Sequence, residues 1–372
     1  MKVCHVTTAH GRYDDRIFQK ECCSLAKEHE VHLLVNDNLC DEIINDVHIH
    51  SMKLVFNNRF KRIFSSQYFL NCALDIDADL YHLHDPELLL IAKKLLKHGK
   101  RVLFDSHEYY YEQIKVKEYI PFMFRSLLAF LYQAYETYIC KRIDAVISIC
   151  PLRNDNYVYN PFENRCKMHC YIENYPIYRN IENTMNKKKE FIVCYAGGLT
   201  YERGITYLID ACYMAGCKLI LAGTFSSEDY YNELKSKESY KCVEYRGQCT
   251  PEQVFDMYSE ASIGASTLLD YGQYFKIETF PVKVYEYFQM KLPVLISSYP
   301  YALEMNNKYK FGVCVNPTNV KEIANGIKYL MDNKFEARQL GNNGYQLYNS
   351  LLNWKESEKR LLELYNTVLS EK

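Results

Sequence analysis

Twice along this chain the same local order appears: an apolar run, a polar turn bearing glycine, an amphipathic helix and another apolar run. Lys2–Thr7 reads as a buried strand, Ala9–Arg16 as a polar turn around Gly11, Ile17–Lys27 as a helix and Val31–Val35 as a second strand. The order returns at Phe191–Ala196, Gly197–Gly204, a helix to Met214 and the strand Lys218–Ala222. A strand–helix–strand unit makes its strands parallel and lays its helices on the sheet faces. The chain is therefore expected to be α/β, with parallel strands in two βαβ-rich domains of similar size. Its 372 residues leave room for two domains of about 100–200 residues each. No sequence repeat links the halves; only the architecture is duplicated.

Hydrophobic residues make up 48% of the chain, enough for a substantial core, and the net charge of −1 gives no global attraction to nucleic acid. The chain opens directly on a strand, and no apolar run approaches the ~20 residues of a membrane span. Fifteen cysteines are present, several of them (Cys4, Cys194, Cys212) inside apolar runs. They read as reduced thiols of a cytoplasmic protein, and without a Cys-x-x-Cys pair no zinc cluster is expected. The 35 tyrosines read as the mark of an AT-rich genome more than of chemistry.

The first domain is expected to cover residues 1–174, with further strands at Val47–Val55, Leu80–Leu83, Arg101–Phe104, Ala145–Ile149 and Met168–Ile172. Open parallel sheets bind ligands at the carboxyl ends of their strands. That rule selects His10, Gly11, Arg12 and Asp15 after the first strand, Asp85 after Leu80–Leu83, and His107 and Glu108 after Arg101–Phe104. Each also has a plain structural reading. The first group can be a solvated turn in which Gly11 takes positive φ. Asp85 can cap the helix begun by Pro86, and His107 can be structural instead of an acid, a base or a sugar ligand. G-x-G-x-x-G is absent. Asp75, Asp77 and Asp79 precede a strand and read as an acidic loop, not as metal ligands. Tyr109–Tyr119 reads as a mobile aromatic loop. Two segments suit either core packing or seating on an anionic membrane: Phe56–Phe64, with Arg59, Lys61 and Arg62, and Ile120–Tyr132, which opens a helix running to about Arg142.

Residues 175–190, with the Lys187–Lys189 run, read as a linker into a second domain at 191–353. Gly197, Gly198, Arg203, Gly223, Thr224 and Arg246 follow its strands, and Arg203 suits bidentate pairing with phosphate. Later elements are the strands Val243–Tyr245, Ser262–Ser266, Val294–Ser297 and Gly312–Val315 and the helices Val320–Asp332 and Phe335–Leu351. A last helix, within 354–372, has room to cross back to the first domain. Glu278–Pro293 reads as a loop that becomes a helix, with Pro281 in the first turn and Val284, Tyr287 and Phe288 facing the core. Lys283 and Glu286, three apart, share a face. A helix start attracts anions, Lys283 adds a full charge, and a carboxylate one turn on can accept from a sugar diol. Diphosphate near the helix start with ribose at Glu286 is then a coherent pose. The alternative is a surface ion pair worth ~0.3–0.5 kcal/mol.

These motifs resemble those of the retaining nucleotide-sugar glycosyltransferases of glycosyltransferase family 4, and most of all the bacterial capsular, O-antigen and exopolysaccharide branch. The resemblance implies the GT-B fold, two Rossmann-like, doubly wound domains facing a central cleft. The likeness rests on Asp14-Asp-Arg-Ile-Phe-x-x-Glu21, His84-Asp-Pro86, Asp105-x-His-Glu108, Gly197-Gly198 with Glu202-Arg-Gly204, and Pro281-x-Lys-x-x-Glu-Tyr287. It implies that Glu278 lies by the donor sugar, Glu286 on the ribose, Arg203 on the leaving diphosphate, Gly11 facing the donor phosphates and His107 near the transferred sugar. Two departures stand out. Many members carry a second basic residue where this chain has Gly198, and Lys283 is the candidate substitute. The usual Glu-Gly-Phe-Gly reads Glu278-Thr-Phe-Pro281.

The expected reaction moves a sugar from a nucleoside diphosphate to a hydroxyl of a glycan, one carried on polyprenyl diphosphate, with retention and without a metal or other cofactor. It would proceed in the cytoplasm, with possible contact to the inner membrane and none to nucleic acid. Rivals are a nucleotide-sugar 2-epimerase of the same fold and a non-catalytic nucleotide-sugar-binding subunit.

Overall fold

A computed structural model describes residues 1–53, 64–117, 119–155, 157–178 and 190–370. The chain divides into two compact units, Met1–Asn174 with Trp354–Lys372, and Tyr175–Asn353.

The first unit is built on an eight-stranded sheet. Its strands are β1 (Lys2–Val6), β2 (Glu30–Val35), β3 (Glu42–Ile44), β4 (Val47–Ser51), β5 (Leu80–Leu83), β6 (Arg101–Ser106), β7 (Ala145–Ser148) and β10 (His169–Tyr171); β8 (Leu152–Arg153) and β9 (Val158–Tyr159) form a separate antiparallel pair. Across the sheet the order is β10-β7-β6-β5-β1-β2-β4-β3. All pairs are parallel except β3 with β4. That hairpin was not expected from sequence. It turns on Asn45 and Asp46, both at positive φ (52° and 59°), which a tight two-residue turn requires. Strand order reverses at β1, between β5 and β2, so the carboxyl ends of β1 and β5 border a topological switch point.

Several local expectations are corrected. The first helix, Asp15–Cys22, winds in wider i→i+5 turns before a short α-helical end at Cys23–Leu25. The expected mobile loop at Tyr109–Tyr119 is instead a helix, Tyr110–Val116. Tyr109 is buried before it, and its hydroxyl donates to the Ser148 side chain at 3.2 Å. The helix Phe122–Cys140 buries only Ala129, Glu136, Ile139 and Cys140. Residues 56–63 of the basic aromatic segment lie outside the described residues. The final helix, Trp354–Ser370, sends Trp354, Leu361, Leu364, Tyr365 and Val368 into the first unit's core, and Trp354 Nε1 donates to Ser24 Oγ at 3.0 Å.

The second unit holds a six-stranded parallel sheet: β11 (Ile192–Ala196), β12 (Lys218–Ala222), β13 (Val243–Tyr245), β14 (Ile263–Ser266), β15 (Val294–Ser297) and β16 (Gly312–Val315). Its order, β13-β12-β11-β14-β15-β16, puts the switch point between β11 and β14. Apolar layers cover both faces, one built on Tyr285, Tyr287 and Phe288, the other on Leu208, Ile209 and Ile323. Pro281 stands one residue before the helix Val282–Gln289, in extended backbone, and not inside its first turn.

Candidate active site

In the second unit the loop after β11 carries Gly197 and Gly198, and that after β12 carries Gly223. A side chain at Gly223 would lie 1.9 Å from the Gly197 carbonyl oxygen, so this glycine lets two strand-end loops touch. Gly204, at φ +72°, closes the short turn Tyr201–Arg203; a Cβ there would meet the Thr267 carbonyl oxygen at 2.0 Å. The turn is fixed further by Leu269 N–H on the Glu202 carbonyl at 2.9 Å. Arg203 is thereby aimed at the glycine loop. A Cβ built on Gly197 would lie 3.7 Å from its guanidinium and 3.2 Å from Lys283 Nζ.

Lys283 comes from the opposite side, one residue into the helix Val282–Gln289. It is 6% exposed, and among the described residues its Nζ has no hydrogen-bond acceptor. The ammonium stands 4.0 Å above the Tyr195 ring. Burial, and then the charge of Arg203, push it well below the usual lysine range, while Glu286 pulls the other way. One turn on, half-buried Glu286 accepts from the Tyr258 hydroxyl at 2.8 Å. Glu278 is half-buried on the preceding loop. There the Tyr285 hydroxyl accepts from Phe280 N–H at 3.0 Å, and Tyr299 donates to the Thr279 carbonyl at 3.2 Å. These hydroxyls hold the Glu278-Thr-Phe-Pro281 stretch. The tyrosines read as compositional thus include four that shape the site: Tyr195, Tyr258, Tyr285 and Tyr299.

Other selected residues in this unit lie apart or are engaged. Arg246 is clamped by Glu260, at 2.7 and 3.0 Å, and by Glu244 at 2.7 Å, which commits its guanidinium to protein carboxylates. Thr224 is exposed, and its carbonyl accepts from Leu199 N–H at 2.9 Å.

In the first unit, His10, Asp85 and His107 converge. His10 bonds Asp14 at 3.1 Å and lies 3.7 Å from Asp85; its ring centroid is 4.9 Å from that of His107. Burial opposes protonation of His10, yet the Asp14 hydrogen bond and the charge of Asp85 raise its pKa. Asp85 does not cap the following helix with its side chain. It accepts instead from Thr7 Oγ1, Thr8 N and Ala9 N at 2.8, 2.7 and 3.3 Å, fixing the turn after β1. Asp14, which entered only as part of a sequence motif and not as a site residue, caps the first helix by accepting from Arg16 N and Ile17 N.

His107 is oriented from below. Its Nε2 is 3.1 Å from Asp105 Oδ2 and 3.1 Å from His84 Nδ1. Asp105 also takes Arg16 in a two-pronged ion pair at 2.8 and 3.0 Å. Burial would raise Asp105, but Arg16 and His107 hold it well below the carboxylate range. Beneath them lie His5, His82, His84 and Glu21, all buried and none selected from sequence as site residues. Two groups there have the composition of metal ligands: His5, Glu21, His82 and His84; and His84, Asp105 and His107.

The remaining selections separate. Arg12 turns away to Asp37, at 2.6 and 3.0 Å, and to Glu42. Asp15 is exposed and pairs with Lys20. Glu108 is exposed, and its carbonyl accepts from Ser106 Oγ at 2.9 Å. Gly11 is not among the positive-φ residues, and a Cβ there would meet nothing within 4 Å.

Two parallel, doubly wound units with polar side chains gathered at their strand ends define a GT-B protein. Residues 178–347 match the family model described as glycosyl transferases group 1, and residues 22–152 match that of Glycosyltransferase Family 4. The chain is a glycosyltransferase of the GT-B fold. Sucrose-phosphate synthase of Thermosynechococcus elongatus superposes with TM-score 0.77 over 99% of both chains at 17% identity. HepE of Anabaena, in complex with UDP and glucose, covers 99% of this chain and 100% of its own, with TM-score 0.69 and 14% identity. A glycosyltransferase of Rickettsia africae covers 100% and 99%, with the same TM-score and identity. At these identities the likeness is one of fold. No curated protein sequence matches the chain.

Proposed function

We propose that this enzyme moves a sugar from a nucleoside diphosphate to a hydroxyl of a lipid-linked glycan, with retention of configuration, in the building of a capsule, lipopolysaccharide or related surface polysaccharide. The observation that carries the reading is the pair of basic side chains over Gly197–Gly198, Arg203 and Lys283, the second buried and, among the described residues, with no acceptor. A buried ammonium in that state calls for an anion, and a diphosphate supplies one. On this reading Arg203 and Lys283 stabilise the departing diphosphate without a divalent ion. Glu286 takes the ribose hydroxyls and Glu278 lies by the donor sugar. His107 meets the transferred sugar, with His10 and Asp85 on the acceptor side. The sequence offers no carboxylate pair with glycosidase logic, and we read the step as front-face departure through an oxocarbenium-like state.

The acceptor's lipid finds support in the helix Phe122–Cys140. Phe122, Met123, Phe124, Leu127, Phe130 and Leu131 are all exposed on it, an apolar face suited to the surface of an anionic membrane. Among the described residues no helix is long and apolar enough to cross a membrane.

Melting temperatures of the wild type and Glu286→Ala with UDP, GDP, ADP, CMP and dTDP test the donor site. A nucleotide at ~100 times its dissociation constant adds ~2.7 kcal/mol of stability. UDP is the first to try, because HepE was captured with it. A shift in the wild type alone supports the reading, and no shift with any nucleotide overturns it. Sugar transfer that requires an acceptor then excludes an epimerase and a binding-only subunit.

A further inference from the structure

The transfer reading leaves unused the buried cluster beneath His107. His5 lies on β1, His82 on β5 and His84 just past its end; in the parallel register His5 faces His82 directly. Glu21 reaches the same point from the first helix. All four side chains are 0 to 2% exposed. His5 Nδ1 and His84 Nε2 are 2.9 Å apart. Glu21 Oε2 is 3.9 Å from His5 Nδ1, 4.0 Å from His84 Nε2 and 4.0 Å from His82 Nδ1.

We propose that these four side chains form a closed, structural site for one divalent transition-metal ion, with zinc the best fit. Zinc bound by imidazole and carboxylate at ~2.0–2.1 Å, in a tetrahedron, separates its ligand atoms by about 3.4 Å. The four donor atoms here all lie within 4.8 Å of one another, and the measured edges bracket that value. An ion at the centre needs the His5–His84 contact to open by about 0.5 Å. Three imidazoles with one carboxylate suit zinc, cobalt or nickel, and not the all-oxygen sites of calcium or magnesium.

A second observation points to the same ion. Among the described residues neither oxygen of Glu21 accepts a hydrogen bond, although Arg16 Nε lies 3.0 Å from Oε1 as an ion pair. Buried polar atoms in native structures nearly always have partners, and an exception asks for an ion or an ordered water. Arg16 is itself balanced by Asp105. Outer contacts of the kind that fix metal-bound histidines are present as well. The second nitrogen of His84 lies 3.6 Å from Asp105 Oδ2, and that of His5 lies 3.1 Å from the Tyr365 hydroxyl. The Tyr365 hydroxyl also lies 2.8 Å from His82 Nδ1; metal binding through that nitrogen takes its lone pair and replaces this hydrogen bond, leaving the hydroxyl to accept from His5 Nε2. The cysteines stay outside the set; Cys4 Sγ bonds the His5 carbonyl oxygen. The ion would tie together β1, the first helix, β5 and, through Tyr365, the final helix.

The test uses the full-length chain, unfolded and refolded with zinc or with cobalt, then dialysed against a weak chelator. One equivalent of metal should remain and raise the melting temperature. Glu21→Gln and His84→Gln should each lower affinity by at least about tenfold, the minimum seen for disturbed metal shells. The cobalt form should show the visible bands of a four-coordinate nitrogen–oxygen site and no thiolate charge-transfer band. Retention of no metal, retention equal to wild type in both variants, or a thiolate band would each overturn the proposal. Should a variant fail to fold, stoichiometry and the cobalt spectrum of the wild type decide alone. Nucleotide-induced melting shifts report on the second unit, so failure here leaves the donor reading standing.

Discussion

Lys283 Nζ stands 4.0 Å over the face of Tyr195, and among the described residues nothing accepts its protons. The ring gives partial compensation, and nearby Arg203 takes some of it away. Burying this amine without an acceptor costs the free protein at least about 1–3 kcal/mol. Lys283→Met should therefore raise the melting temperature of the nucleotide-free protein while abolishing most of the shift that UDP produces. Calorimetry with and without UDP reads both effects. A variant that loses stability and keeps the UDP shift would remove Lys283 from the site.

The same lysine predicts a pH dependence of defined sign. Its pKa is depressed in the folded chain from an ordinary value of 10.5. The native state then binds fewer protons than the unfolded state throughout the window between the two. Stability must rise with pH across that window and fall as pH drops through the folded pKa. Buried tyrosines and cysteines titrate in alkali with the opposite sign, so the quantity to measure is wild type minus Lys283→Met. The charges facing the group are Arg203, which lowers the pKa, and Glu286, which raises it. A bound diphosphate favours the ammonium, so above the depressed pKa binding should take up protons. Binding heats measured in buffers of different ionisation enthalpy would reveal that uptake in the wild type and lose it in Lys283→Met.

Glu286 and Arg203 should separate kinetically. Removing the carboxylate from a sugar diol costs about 1.5–3 kcal/mol, or about 10–150-fold in donor affinity. Glu286→Ala is expected to show this mainly in the donor KM. Tyr258→Phe, which only releases the carboxylate from its 2.8 Å bond, should be milder, about fivefold. Arg203→Ala removes charge that matters most as the diphosphate departs, so kcat should fall by about 10²–10³-fold. Equal effects on KM and kcat in all three would undo the assignment of roles.

The glycines offer a sharp contrast. Gly204→Ala and Gly223→Ala force a Cβ to 2.0 and 1.9 Å from carbonyl oxygens at positive φ, and each should cost at least about 2 kcal/mol in urea unfolding. Gly11→Ala meets nothing within 4 Å and should be neutral to stability. A loss of turnover in Gly11→Ala without loss of stability would favour a role facing the donor phosphates.

What local pattern controls was legible in the sequence. The helix Val320–Asp332 falls where its apolar spacing puts it, and the buried strands of the second unit lie within a residue or two of the expected runs. Long-range commitments were not legible. Nothing near Arg12 announces Asp37 and Glu42, and nothing near Arg246 announces Glu260, yet those partners decide where each guanidinium points. The hairpin at Asn45-Asp46 was missed because its turn was not recognised as one. The histidine cluster needed sheet order: β1 and β5 are neighbours in space and 77 residues apart at His5 and His82. Period-two spacing of His82 and His84, within and just past a buried strand, was the available signal. The tyrosines were discounted on number, although a buried phenol must place its hydroxyl somewhere, and here four of them place theirs on the Gly198 carbonyl, Glu286 and the Glu278 loop.

The final helix gives a prediction that concerns the first unit alone. Leu361 is fully buried in the core that also holds Val3, Ile17, Leu33 and Leu103. Leucine-to-alanine changes at such sites cost about 2–5 kcal/mol, depending on how far the cavity collapses. With two compact units the chain need not unfold in one step. Leu361→Ala should lower the transition of the first unit and leave that of the second near its wild-type position. Hydrogen exchange resolves the two directly, since amides in β1, β2 and β6 should lose protection while those in β11, β14 and β15 keep it. Equal loss in both sheets would mean that the units unfold together, and that the helix stabilises more than the sheet it packs on.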